Sequence, residues 1–280
     1  MSPRPPRRGR PPAGGRRPGA RRAGAGDGAA STLGRPGAVP VEGRQAVREL
    51  LRAGRRTVHE VLVSAPDDAG PVAEIVDLAA RAGVPVRRVP RGTIEHLAGT
   101  DAPQGVLAWA EPLPEHDLDD LLRSREGAPA PFLVVLDGVT DPHNLGAVMR
   151  SALCAGATGV VVGRHRSAPL GAVATKAAAG AVEWLPVAEV GGIPAALTSL
   201  VRAGVWTVAL DADARAPLWE LDLGDQPLAL VLGAEGRGLS PLARRRCDVA
   251  VSVPLHGPLG SLNVSAAAAV ACFEVARRRR

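Results

Sequence analysis

Residues Leu133–Arg150 read LVVLDGVTDPHNLGAVMR. The apolar run Phe132–Leu136 predicts a buried strand, Asp137–His143 a polar turn, and a helix is expected from about Asn144. Asp137, Asn144 and Arg150 then gather around the carboxyl end of a strand, where open α/β sheets bind their ligands. The arrangement recurs twice. LALVLGAEGRGLS (Leu228–Ser240) is an apolar strand followed by a loop with three glycines. VSVPLHGPLGSLNVSAAAAV (Val251–Val270) is a strand, a Pro/Gly loop and an Ala-rich helix. Three strand ends that run into polar, Gly-rich loops predict one composite site.

Working outward, residues 132–276 alternate strand and helix. Strands are expected at 132–136, 158–162, 184–188, 205–210, 228–232 and 249–253, and helices at 144–155, 171–179, 192–203 and 262–276. That spacing predicts a mostly parallel sheet with helices on both faces. Residues 38–110 read as a separate small α/β unit. Ala46, Val47, Leu50 and Leu51 have helical spacing, VHEVLVS (Val58–Ser64) reads as a strand, and a helix opens at Pro71 and stops by Gly83. Short strands follow in VPVRRV and in GVLAWA (Gly105–Ala110). Residues 111–131, acidic and then Pro/Ala-rich, form the expected linker, with a short helix at Leu118–Arg123. The fourth segment, residues 1–37, is too rich in Pro, Gly and Arg to bury a core, so a disordered basic tail is expected. An organelle transit peptide is the second reading of that leader.

Charge follows the same division. The net +6 hides nine Arg and one acid in residues 1–37, so the rest of the chain is slightly acidic. A nucleic-acid partner therefore needs evidence from the folded body, although the tail can attract phosphate without specificity. Cys154, Cys247 and Cys272 lack paired spacing, which argues against disulfides and a zinc site. Cys154 and Cys272 are expected to be small core residues. No apolar run is long enough to span a membrane, and the N-terminus lacks the apolar core of a signal peptide, so a cytoplasmic location is expected.

Each candidate residue has a plain alternative. Arg150 could hold a phosphate or stabilise a forming alkoxide, its side chain lying back over small Gly146 and Ala147. It could equally pair with Asp137 or Asp141. Asn144 could simply cap its helix, and a turn His such as His143 could be a base or idle. GAEGRG (Gly233–Gly238) has neither the Walker nor the dinucleotide glycine spacing. Its glycines would let a backbone approach a flat ligand closely, and Glu235 could accept hydrogen bonds there or be a solvated loop acid. In GSLNVS, Ser261 or Asn263 could cap the last helix and leave backbone N–H groups for a ligand. No serine sits in a nucleophile elbow, so hydrolase chemistry has little support.

Taken in order, DGVTDPHNLGAVMRSA, LVLGAEGRGLS and VPLHGPLGSLNVS resemble the three motifs of the SpoU/TrmH family of RNA ribose 2′-O-methyltransferases. HRSAPLGAVATKAAAGAVEWLPV resembles the family's middle segment, and the N-terminal unit resembles its ribosomal-protein-like RNA-binding domain. The subgroup most similar is the 23S rRNA guanosine-2′-O-methyltransferases. The resemblance implies an S-adenosylmethionine-dependent enzyme acting on RNA, with a C-terminal trefoil knot. It also implies a homodimer whose active site draws on both subunits, with no metal. By motif, Gly233, Val253 and Leu262 would line the S-adenosylmethionine pocket, with Pro254, Leu255, Ser261 and Asn263 beside them. Arg150 would be catalytic, and Asn144, Glu235 and Ser261 would position it and the ribose. Because an arginine stays protonated, it is read as an electrostatic stabiliser of the forming alkoxide, or as a base if substrate phosphate assists. The rival readings are the same chemistry on tRNA or an rRNA adenosine, and a noncatalytic RNA-binding assembly factor.

Overall fold

A computed structural model describes residues 37–65, 70–123, 127, 129–223 and 225–279. The expected basic tail thus lies outside the described residues, apart from Gly37, as does Arg280.

The first part of the chain builds a four-stranded sheet. Its elements are β1 (Val39–Glu42), α1 (Arg44–Ala53), β2 (Val58–Ser64), α2 (Pro71–Arg81), β3 (Val86–Val89), α3 (Arg91–Leu97) and β4 (Val106–Ala110). The strand order is β1-β4-β2-β3, antiparallel around β4 and parallel between β2 and β3. The residues with helical spacing in α1 pack on Val61, Val63, Val106 and Ala108. Neither β1 nor α3 was expected. β1 is only four residues long and α3 seven, too short to show a period.

After α4 (Leu118–Leu122), the chain forms a seven-stranded sheet from β5 (Phe132–Asp137), α5 (Pro142–Cys154), β6 (Gly159–Gly163), α6 (Ala172–Ala177), β7 (Val187–Val190), α7 (Ile193–Arg202), β8 (Trp206–Leu210), β9 (Ala216–Pro217), β10 (Leu228–Gly233), α8 (Pro241–Arg246), β11 (Val249–Ser252) and α9 (Val264–Arg278). Its order is β7-β6-β5-β10-β8-β11-β9, and every pairing is parallel. Alternate residues of a strand point to opposite faces. Phe132, Val134 and Leu136 accordingly pack with α5, α6 and α9, whereas Leu133 and Val135 pack with α4, α7 and α8. Both faces are covered, which is why these strands read as continuous apolar runs. No helix among the described residues is long and apolar enough to cross a membrane.

Strand order fixes the place of the site. From β5 the chain steps to β6 and β7 on one side, then crosses to β8, and β10 returns beside β5. The β5/β10 junction is therefore a topological switch point, the place where ligands settle in open parallel sheets. Asp137 and Gly233, the last residues of the two strands, stand in register there.

Local deviations from the expected elements have clear causes. The strand expected at 184–188 starts only at Val187, because Ala181–Glu183 form a 3-10 turn that carries Glu183 to the first sheet's module. The helix expected at 171–179 stops at Ala177, since Ala179 and Gly180 both take positive φ. Helix α8 went unanticipated although Ser240 and Pro241 mark its start: Ser240 Oγ accepts from Ala243 N at 3.3 Å.

The two sheets are joined by a sealed ion pair. Arg56 Nε and Nη2 donate to the two carboxylate oxygens of Glu183 at 3.0 and 2.6 Å, with both side chains at most 5% exposed. Arg56 Nη1 also donates to Glu111 O, and Trp184 Nε1 donates to Glu49. A second clasp runs from Lys176 through Thr100 to buried Glu42. At the other end of the chain, Arg279 donates to the carbonyls of Ala130, Pro131 and Gln226. It thereby pins the end of α9 to the amino ends of β5 and β10.

Candidate active site

Three loops meet at the carboxyl edge of the switch point. The first leaves β5. Asp141 caps α5, its carboxylate accepting from His143 N at 2.9 Å, with Pro142 in the first turn. Asn144 is therefore not the cap. It lies inside the helix, only 8% exposed, and its amide is free to reach outward. Asn144 Nδ2 donates to Glu235 Oε2 at 3.2 Å, and Asn144 Oδ1 accepts from Asn263 Nδ2 at 3.0 Å. Asn263 Nδ2 also approaches Glu235 Oε1 at 3.5 Å. The result is a closed triangle with one member from each loop.

Asn263 performs two tasks. Its Oδ1 accepts from Ser265 N at 2.8 Å and caps α9, while its Nδ2 reaches the triangle. Ser261 is exposed and makes no hydrogen bond among the described residues, so capping belongs to the asparagine alone. Asp137 accepts from Ser240 N at 2.8 Å and ties the end of the second loop to the first.

The second loop explains its glycines. Ala234 and Gly238 exchange backbone hydrogen bonds of 3.0 and 2.8 Å, closing a tight hairpin with Glu235 in its turn. A Cβ on Gly233 would lie 2.0 Å from the carbonyl carbon of Gly238. The close approach that needs this glycine is thus made by its own loop, not by a ligand. Gly236 and Gly238 have positive φ and complete the turn.

Arg150 stands apart from the triangle. It is exposed, and it pairs with neither Asp137 nor Asp141. Six residues beyond Asn144, it sits about 9 Å along the axis and about 240° around it, so the two side chains leave different faces of α5. The small residue at 146 does not serve Arg150 either. A Cβ there would lie 2.4 Å from Ala174 O and 2.6 Å from Ala177 Cβ, so Gly146 exists to let α6 pack on α5.

The third loop has the character of a nucleoside cradle. Among the described residues, no backbone–backbone hydrogen bond involves residues 253–262, which leaves a run of free backbone donors and acceptors. Val253 and Pro254 are half-buried, while Leu255 and Leu262 present apolar surface beside them. Free backbone edges next to aliphatic faces suit a planar base with an exocyclic amine, the chemistry of an adenosyl group. A cleft of about 1650 Å³ also lies between the two sheets, but Arg55, Arg123, Arg164, Glu115 and Glu189 line it. Charges of both signs therefore face that cleft.

The cysteines take no part. Burial pushes the thiols of Cys247 and Cys272 up to about 12, so neither is a nucleophile at neutral pH. Cys154, expected in the core, is exposed at the end of α5.

Residues 131–273 match the SpoU rRNA methylase family, and residues 40–116 match the family described as RNA 2′-O ribose methyltransferase substrate binding. The chain belongs to the SpoU rRNA methylase family. Among its SpoU-related relatives is a 23S rRNA (guanosine-2′-O-)-methyltransferase of Shewanella oneidensis, 38% identical over 241 residues, which are 85% of this chain and 96% of that protein. An uncharacterized tRNA/rRNA methyltransferase of Mycobacterium marinum is 39% identical over 86% of this chain and 77% of that one. The SpoU methyltransferase AviRb from Streptomyces viridochromogenes, solved in complex with the cofactor AdoMet, superposes with a TM-score of 0.71 at 26% identity, covering 87% of this chain and 91% of that one. As a SpoU protein the chain is an RNA 2′-O-methyltransferase, and the triangle lies within its matched methylase region.

Proposed function

We propose that this enzyme transfers the methyl group of S-adenosylmethionine to the ribose 2′-hydroxyl of a guanosine in 23S rRNA, as a cytoplasmic homodimer. The observation that carries the reading is the Asn144–Glu235–Asn263 triangle, which draws the three loops into one crevice at the switch point. The printed activity of the Shewanella relative supports guanosine in 23S rRNA as the target. Residues 38–110 are assigned to RNA capture, 111–131 to the linker and 132–280 to methyl transfer.

When bound, the donor supplies an electrophilic methyl group. Gly233, Val253, Pro254, Leu255, Leu262 and Asn263 would hold it through backbone edges and aliphatic contacts. Asn144 and Glu235 would fix the geometry of the crevice, so that in-line placement of the ribose oxygen lowers the barrier. Exposed Ser261 would hold the ribose. The guanidinium of Arg150 stays charged and would stabilise the developing alkoxide as the hydroxyl oxygen takes the methyl group, its proton passing to solvent or a substrate phosphate and S-adenosylhomocysteine departing as the neutral thioether.

Arg150 leaves α5 on a different face from Asn144, which supports an active site completed across a dimer, each protomer's arginine serving its partner. A stripe on α9 supports the same assembly: Val270 and Phe273 are 37% and 51% exposed, and Leu259 in the preceding loop is 77% exposed. Such apolar surface is costly unless covered. The trefoil knot is part of the proposal. It rests on the family to which the chain belongs.

Mapping ribose methylation on an unmodified 23S rRNA transcript incubated with enzyme and donor tests the reading. One 2′-O-methylguanosine is expected. Methylation confined to tRNA, or to an rRNA adenosine, would replace the proposed substrate.

A further inference from the structure

The loop after β6, Arg164–Ser167, adjoins the first loop of the site on the side away from β10. Ala168 N donates to Val139 O at 2.8 Å, and a Cβ on Gly138 would stand 4.0 Å from Arg166 O. Arg164, His165 and Arg166 are all exposed. None of their side chains makes a hydrogen bond or ion pair among the described residues.

Arg166 also has a backbone that its side chain disfavours. It has φ 60°, a region that costs a non-glycine residue free energy and is sparsely used. Two other described non-glycine residues share such a φ, Gln104 and Ala179, and both have a local reason. Gln104 accepts from Arg44 through its side-chain and backbone oxygens. Ala179 leads into the Gly180 turn that delivers Glu183 to its ion pair. Arg166 has no such partner. Strain of this kind persists where the surroundings impose it and concentrates at functional sites.

Placement says what the site would be. The donor loops lie on the β10 and β11 side of Asn144, which leaves the β6 side for the RNA strand beyond the ribose that Ser261 would hold. Arg164 lines the cleft between the two sheets, while Arg166 abuts the first loop. The cationic loop thus bridges the cleft and the crevice. Of the acids in the first loop, Asp137 and Asp141 are each engaged by a backbone N–H.

We infer that Arg166, flanked by Arg164 and His165, grips a backbone phosphate of the RNA strand next to the nucleotide being methylated. It is a positioning residue for the acceptor and has no contact with the donor. The inference rests on the RNA methyltransferase reading. An exposed guanidinium suits a phosphodiester, which it can meet with paired hydrogen bonds.

Arg166→Gly separates this role from a structural one, because glycine removes the guanidinium and relieves the backbone together. Binding to an unmodified 23S rRNA transcript would be measured by filter retention across a salt series, beside methylation kinetics, donor calorimetry and thermal melting. The expected result is RNA affinity weakened by roughly tenfold, with the slope of log K against log salt reduced by about 0.7 for one single-strand phosphate contact. The KM for RNA rises to match, while donor affinity holds and the melting midpoint is no lower than that of the wild type. Arg166→Lys keeps most of the slope. Wild-type RNA affinity and slope in Arg166→Gly overturn the inference, as does a lowered melting midpoint. Failure of the wild-type enzyme to methylate any RNA would instead strike the functional reading, and the binding slope would still decide the role of Arg166.

Discussion

The triangle at the crevice and the ion pair at the seam are both polar clusters between distant segments, yet they are built oppositely. At the seam, Arg56 and Glu183 meet at 2.6 and 3.0 Å and are sealed from water, with the third Arg56 nitrogen bonded to a carbonyl. At the crevice, hydrogen bonds run from 3.0 to 3.5 Å, Glu235 is exposed, and Arg150 and Ser261 have no partner among the described residues. A satisfied cluster locks two modules together. A partly satisfied one keeps donors and acceptors in reserve for a ligand. The difference separates a structural polar cluster from a working one without reference to sequence motifs.

The largest effect should come from the unpartnered group. Arg150→Ala is expected to lower turnover by about 10²–10³-fold, the usual cost of losing an oxyanion-stabilising donor, with donor affinity by calorimetry and the melting midpoint little changed. A large fall in stability would show that Arg150 belongs with the structural clusters. The seam should behave the other way. Removing one partner by Glu183→Gln leaves Arg56 buried without its counter-charge and should cost about 3–5 kcal/mol in denaturant unfolding. The double change Arg56→Met with Glu183→Leu should recover most of that loss. Equal instability of the single and double variants would deny that burial of an unpaired charge is the cause.

Asn263 tests the point where both designs meet. Asn263→Asp keeps the cap oxygen but replaces the amide donor with a carboxylate beside Glu235. Stability should stay within about 1 kcal/mol, since Asp caps as well as Asn, whereas methyl transfer should fall steeply. If Asn263→Asp keeps both activity and stability while Asn263→Ala loses both, capping is the residue's only task. The smallest effect is at the carboxyl-terminal end of α9, where Glu274 is buried beneath two arginines. Hydrogen bonds from Arg277, and next from Arg278, hold the Glu274 carboxyl down at about 2, from an ordinary value of 4.5. A depressed folded value gives stability that is fully present above the unfolded pKa and is lost as pH falls through the folded one. The melting midpoint should therefore drop between about pH 4.5 and 2 by more in the wild type than in Glu274→Gln. Parallel curves would mean that these ion pairs contribute nothing to folding.

Much of the parallel sheet was legible because its strands are continuous apolar runs closed by glycine and polar turns. Phe132–Asp137 and Leu228–Gly233 are examples, and both are buried on two faces. The meeting of the three loops was legible too, since each follows a strand end. What could not be read was pairing between segments far apart in sequence. Arg56 and Glu183 lie in unremarkable contexts 127 positions apart, and nothing local marks either as buried. Glu183 instead sat just ahead of the segment read as a strand, 184–188, where no turn was expected. Asn144 illustrates a nearer miss. Asp141-Pro142 is the stronger helix start, and giving the cap to Asp141 would have freed Asn144 for the crevice from the outset. Gly146 and Gly233 were read as room for an arginine and a ligand. Their missing Cβ atoms accommodate α6 and a hairpin, contacts that only the tertiary structure supplies.

Co-crystallisation with S-adenosylmethionine is the most direct trial of the claim that three strand ends make one donor site. The account predicts the adenosyl group between residues 233–238 and 253–263, with its methyl group toward Asn144 and the Arg150 of a partner subunit close by. A donor bound in the cleft between the two sheets, or a dimer that leaves Arg150 remote from both crevices, would contradict it.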